Sequence, residues 1–127
     1  KEEGKIKHIG ITSHKFTIAK QALSSGLYET LQFRFSYLTA TQELNLVEKC
    51  KKLDVGFIAM KAMGGGLITN SKAAYAFMAN YDNVLPIWGI QRESELDEFL
   101  YNLNIPQLLK ENVQDYENVL NGKTIVN

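Results

Sequence analysis

Residues 55–67 read VGFIAMKAMGGGL, and the fold turns on them. Val55 to Lys61 is largely apolar and meets no polar break before the lysine. That pattern suits a strand covered on both faces, as in a parallel sheet with helices packed against it. Gly64 to Gly66 follow at once, so the backbone can take positive φ and approach a ligand closely. A strand that empties into such a loop is where α/β proteins place phosphates and cofactors. Three glycines also serve a plain turn, and the stretch alone leaves both readings open.

Working outward, a short β-rich run, IKHIGITSH, ends in Thr12, Ser13 and His14. A helix follows over Lys15 to Ser25, with Phe16, Ala19, Ala22 and Leu23 on one side and Gly26 as its stop. Thr30 to Leu38, TLQFRFSYL, alternates cleanly: Leu31, Phe33 and Phe35 one way, Gln32, Arg34 and Ser36 the other. In a closed barrel the apolar side of such a strand faces helices and the polar side faces inward. Thr39 to Leu53 reads as a second helix, with Leu44, Val47 and Cys50 at spacing three. Beyond the glycines, Ser71 is placed to cap a helix containing Ala74, Phe77, Met78 and Tyr81. Val84 to Ile90 is the last strand; its Pro86 argues for a strand beginning or a sheet edge. Ser94 is placed to cap a helix with Leu96, Phe99 and Leu100 inward, and Gln107 to Leu120 forms a further amphipathic segment. The order βαβαβαβα means parallel strands joined by right-handed crossovers.

A chain of 127 residues, 45% of them apolar, supports one compact domain, taken as 1–127. Within it, 1–101 form the βα units and 102–127 a C-terminal helical extension. Lysine plus arginine equals aspartate plus glutamate at 14 each, which argues against nucleic acid or an anionic membrane as partner. Cys50 stands alone, so there is no internal disulfide, and a reducing, cytoplasmic location is expected. Its helical spacing makes it a half-buried thiol rather than a nucleophile. No apolar run approaches the ~18 residues of a membrane span, and KEEGKIK lacks a signal-peptide core. KEEGK reads instead as the last turn of a helix stopped by Gly4.

In a parallel βα array the carboxyl ends of the strands lie on one rim, where ligands bind. Here they carry Thr12-Ser13-His14, Ser36, Lys61 with Gly64 to Gly66, and Gly89 with Gln91-Arg92. Gly89 to Ser94 also leads into a helix N-terminus, a place that draws phosphate, and Lys61 and Arg92 add positive charge. The two histidines, His8 and His14, belong to no metal motif, and HExxH, CxxC, GxSxG and the Walker lysine are absent. Glu93, Glu95, Asp97 and Glu98 read as a solvated first turn matched to the helix dipole. No nucleophile has a base beside it.

GKIKHIGITSH, LQFRFSYL, VGFIAMKAMGGGLI and LPIWGI with ESELDEFL resemble, in order and spacing, the second half of an aldo-keto reductase. The resemblance runs from Lys1 to about Tyr101. It is closest to the bacterial branch whose members often continue into a cysteine-rich iron–sulfur tail. It implies an α/β fold that is half of a TIM (β/α)8 barrel, strands five to eight, and reduction of small aldehydes or ketones with NADPH or NADH. By the resemblance, Thr12 and Ser13 hold the nicotinamide carboxamide, Gln32 contacts the same amide and Met60 covers the ring. Lys61, Met63, Gly64 and Gly65 fall over the pyrophosphate; Gly89, Gln91 and Arg92 surround the adenosine phosphate. Glu95 stands where many members carry an arginine for a 2′-phosphate. Arg34 and Ser36 depart from the family pattern on the inner wall. The family's tetrad of aspartate, tyrosine, lysine and histidine lies on its first four βα units, outside these 127 residues, and any iron–sulfur cluster would also lie outside this segment. The expectation is a catalytically empty fragment of a parent reductase, with self-association of the half-barrel through its open edges. The alternative is a non-catalytic half-barrel that assembles with a partner and holds a phosphorylated ligand; an open flavodoxin-like sheet is a third reading.

Overall fold

The computed structural model describes residues 1–103. Four strands, β1 (Gly10–Thr12), β2 (Thr30–Arg34), β3 (Gly56–Met60) and β4 (Val84–Pro86), form one sheet in the order β1-β2-β3-β4. All three pairings are parallel, with Thr12 beside Gln32, Gln32 beside Ile58, and Arg34 beside Met60. Helices α1 (Phe16–Ser25), α2 (Thr41–Lys52) and α3 (Ser71–Met78) cross between successive strands, and α4 (Glu93–Leu103) follows the last. This is the alternating α/β array, half-barrel in content, that the sequence order implies.

Period two governs the middle of the sheet. Leu31, Phe33, Phe57 and Ala59 are buried under the helices, while Thr30, Gln32 and Ile58 on the other face are half-buried. Phe35 continues the buried series past the end of β2 and meets Phe57, Phe77 and Tyr81 edge-on or tilted, with centroids 5.2–5.6 Å apart. From α1 come Ala19, Ala22 and Leu23, from α2 Leu46, Val47 and Cys50. Gly10 is required by contact: a Cβ there would lie 2.1 Å from Thr30 Oγ1.

Several sequence expectations need correction. Every strand is shorter than its apolar run, because pairing stops where the partner ends: β1 has three residues of the run 6–14, β2 stops at Arg34 rather than Leu38, and β4 stops at Pro86 rather than Ile90. Pro86 does lie in an edge strand, but at its end. Cys50 is fully buried rather than half-buried, and burial pushes its thiol up to about 11, so it stays protonated. Asn70, not Ser71, caps α3, its side chain accepting from Ala73 N at 3.0 Å. Ser94 does not cap α4 either; it lies inside the helix. Leu96 and Leu100 are exposed (40% and 44%), because α4 docks through Phe99 on Tyr75 and Trp88 and through buried Asn102. The segment expected from Gln107 to Leu120 lies outside the described residues.

Candidate functional site

Because all four strands run the same way, Thr12, Arg34, Met60 and Pro86 bring their following loops to one side of the sheet. A cleft of about 930 Å³ opens there between the carboxyl ends of β3 and β4. It gathers Met60, Lys61, Met63 and Gly65 from the first strand end and Gly89, Gln91, Arg92 and Glu95 from the second. Trp88, the chain's single tryptophan, also lines it.

The backbone after β3 is unusual. Lys61 has φ 60, and Gly64, Gly65 and Gly66 have φ of 61, 67 and 96. The glycines make one 3₁₀ turn, kinked at Gly65. A Cβ at Gly65 or at Gly89 would meet nothing within 4 Å, so both present bare backbone to open space. Lys61 is exposed, has no ion-pair or hydrogen-bond partner among the described residues, and lines this cleft together with a smaller one. A left-handed lysine at a strand end costs on the order of 1 kcal/mol. Such strain concentrates at functional sites.

Thr12, Ser13, Gln32 and Gly64 do not line the large cleft. Thr12 is exposed at the end of β1, and Ser13 is buried, its Oγ bonded to Lys15 N and to the Lys15 carbonyl at 3.1 Å each. Ser13 N donates to the Gln32 carbonyl at 3.0 Å, and the Gln32 side chain leans to Met60, Nε2 to Sδ at 3.8 Å. These residues therefore form a row beside the cleft, joined to it through Met60. Gly64 lines the smaller cleft, about 340 Å³, with Arg34, Ser36, Thr39 and Glu43. Arg34 donates to the His14 carbonyl at 2.8 Å and pairs with the buried carboxylate of Glu43. Ser36 lines that cleft beside Arg34; its Oγ accepts from Leu38 N at 3.2 Å and its N donates to Thr39 Oγ1 at 2.9 Å, closing the turn after β2. The His14 side chain is exposed, and among the described residues only its carbonyl is engaged; His8 is at the surface, 3.3 Å from Glu29.

At the start of α4, Glu93, Asp97 and Glu98 are exposed, as a solvated acidic turn requires, while Glu95 is half-buried and folds back on the chain. Glu95 Oε2 accepts from Gln91 N at 2.7 Å and Arg92 N at 3.1 Å, and Oε1 accepts from the Arg92 side chain at 3.0 Å. This is the reach-back half of a capping box, and those amide bonds, then Arg92, hold the Glu95 carboxyl below its usual value. Glu98 lines the cleft as well and accepts from Ser71 Oγ at 2.6 Å, whose oxygen accepts in turn from Asn102 at 3.2 Å. Sequence reasoning missed Ser71 and Glu98 as cleft residues. Glu98 had a signal, lying three residues after Glu95 on the same helix face; Ser71 had none. No group of three or more metal-ligating side chains occurs among the described residues. No helix among them is long and apolar enough to cross a membrane.

A parallel βα array with its cleft at the carboxyl rim is shared by TIM barrels and open α/β sheets, and comparison with known proteins selects the barrel. The aldo/keto reductase family model matches residues 1–74, and the chain belongs to that family. Its fold is similar to that of a thermostable aldo-keto reductase, Tm1743, whose crystal structure was solved in complex with the inhibitor epalrestat. The TM-score is 0.63 at 18% identity, covering 86% of this chain and 48% of that one. The chain thus spans about half the length of the reductase it matches. Members of the family are oxidoreductases that generally use nicotinamide cofactors.

Proposed function

We propose that this chain is the cofactor-binding half of an NAD(P)H-dependent reductase of small aldehydes and ketones. The observation that carries the proposal is one cleft, at the carboxyl ends of parallel strands, in which Lys61, unpartnered among the described residues, meets bare-backbone glycines. That combination suits a diphosphate: the lysine supplies charge and the turn supplies close backbone approach. In this reading Lys61, Met63, Gly64 and Gly65 hold the diphosphate, and Gly89, Gln91, Arg92 and Glu95 bound the adenosine end. Met60 covers the nicotinamide face, and Thr12, Ser13 and Gln32 orient its amide from the adjoining row.

A bound nicotinamide cofactor supplies hydride to the carbonyl carbon. The residues of this chain bind and orient; none of them is placed as the proton donor to the carbonyl oxygen, a task the reading assigns to the family tetrad on the other half-barrel. An iron–sulfur cluster does not fit this chain, since such clusters take about four cysteine thiolates and Cys50 is single and buried. The lone thiol supports a reducing, cytoplasmic setting. Among the described residues the edge strands β1 and β4 leave unpaired backbone on both sides, so the isolated chain is expected to self-associate.

The test is titration of the 127-residue chain with NADH, read by energy transfer from Trp88 to the reduced nicotinamide. Weak, saturable transfer, reduced in Lys61→Met, is expected, with no turnover of an aldehyde panel. Saturable binding of simple sugar phosphates with no response to NADH would favour the non-catalytic module for a phosphorylated ligand. Turnover by the isolated chain would overturn the placement of the proton donor outside it.

A further inference from the structure

The smaller cleft, about 340 Å³, lies where the loop after β2 meets the glycine turn after β3, and its polar wall is rich in donors. Arg34 gives one N–H to the His14 carbonyl and one to Glu43; a guanidinium carries about five, so the rest stay unspent. The Ser36 and Thr39 hydroxyls act as acceptors, from Leu38 N at 3.2 Å and Ser36 N at 2.9 Å. Each therefore keeps its own proton to donate. Lys61 is exposed and has no partner among the described residues. Glu43 is the carboxylate of the cleft, and it is buried and paired with Arg34. Arg34 and Lys61 against Glu43 leave one net positive charge.

A buried carboxylate is costly, and here it serves to fix a neighbour. Glu43 and the His14 carbonyl hold the Arg34 guanidinium from two sides, so its remaining N–H groups stay at one place on the wall. Leu38 and Leu67 are exposed, yet both line the same cleft. Leu38 lies against the glycine turn: a Cβ at Gly64 would stand 3.4 Å from its Cδ1. Apolar side chains left in water beside convergent donors suit a ligand with a charged head and a hydrocarbon body.

We propose that this cleft is a binding site for a small aliphatic carboxylate, beside the dinucleotide cleft and beyond the cofactor reading. A monoanion matches the single net positive charge. Its two oxygens meet the ammonium of Lys61 and the unspent N–H groups of Arg34, while the Ser36 and Thr39 hydroxyls donate to them as well. Its hydrocarbon part covers Leu38 and Leu67. A phosphate monoester is close to dianionic at neutral pH, so it would keep uncompensated charge and face the Glu43 carboxylate.

The test is amide NMR of the 127-residue chain without nucleotide, using hexanoate as probe. Hexanoate should shift the Ser36, Thr39, Gly64 and Gly65 amides saturably. Hexanamide, with the same body and no charge, should need at least about tenfold higher concentration. Lys61→Met changes an exposed side chain and should weaken hexanoate at least about fivefold. Arg34→Gln combined with Glu43→Gln strands no buried charge and should weaken it by a similar factor. Equal response to hexanamide, shifts confined to Gly89, Gln91 and Arg92, or unchanged affinity in a folded Lys61→Met overturns the inference. So does inorganic phosphate shifting the same four amides at lower concentration than hexanoate. With no nucleotide present, each of these failures leaves the cofactor reading standing, and failure of NADH to bind leaves this site standing.

Discussion

The rim above β1 and β2 is tied down, whereas the rim just past β3 is open. On the tied side, Arg34 grips the His14 carbonyl with one nitrogen and the Glu43 carboxylate with another, while Ser13 closes on Lys15. On the open side, Lys61 is unpartnered among the described residues and the Gly64–Gly66 turn exposes backbone. Both begin as the carboxyl end of a parallel strand. What separates them is whether neighbouring loops can satisfy the polar groups that arrive there. Where they can, the rim becomes a wall with one arrangement; where they cannot, it is left to a ligand.

The largest effect that would break this contrast lies beneath the tied rim. Phe33→Ala, at a fully buried site, should cost about 3–5 kcal/mol in urea unfolding. Leu67→Ala, at an 80% exposed residue of the open rim, should stay within about 0.5 kcal/mol. Next, Glu43→Ala removes the partner of Arg34 and should cost about 1–3 kcal/mol. It should also speed hydrogen exchange at the Lys15 amide; unchanged exchange there would show that the clamp does not order the loop. Gly65→Ala meets open space but a left-handed φ of 67, so about 1 kcal/mol of strain is expected. Its main readout should be weaker nucleotide binding, since the open rim contributes little to stability.

The smallest effect concerns the opposite, amino ends of the strands. Glu29 bonds Lys1, then Ile9 N, and its carboxyl is pulled down from 4.5 to about 2. A depressed folded value means this contribution is whole above pH 4.5 and is lost as pH falls through about 2. Asp82 is lowered in the same sense by Lys51. Carboxyl titration by NMR should place the Glu29 midpoint near 2, with the 1–9 segment loosening before either rim moves. A midpoint near 4.5 would show that the Lys1 contact does not persist in solution.

Patterns repeated over several residues were legible, and single hydrogen-bond partners were not. Leu31, Phe33 and Phe35 were read correctly as one buried series because period-two alternation reports a face directly. Gly26, with φ 68, was a readable helix stop. The caps of α3 and α4 were misassigned because Asn70 and Ser71 are adjacent candidates, and because Glu95 caps from the third helical position behind Arg92. Leu96 and Leu100 satisfy helical spacing as well as Phe99 does; contact with Trp88 and Tyr75 picks the face. On the site, Lys61, the glycine turn and Gly89 were placed together by strand order alone, while Thr12, Ser13 and Gln32 proved to lie in a neighbouring row.

By itself the sequence determined the alternation of strands and helices, their parallel direction and hence the rim on which glycines and cations collect. Those follow from periodicity and from the reach of short crossovers, which are local properties of a chain. Only the tertiary structure decided which of those polar groups are spent on one another. Arg34 found Glu43 and Arg92 found Glu95, while Lys61 found nothing among the described residues. A hydrogen bond or ion pair between elements depends on distances of about 3 Å that residue order does not carry.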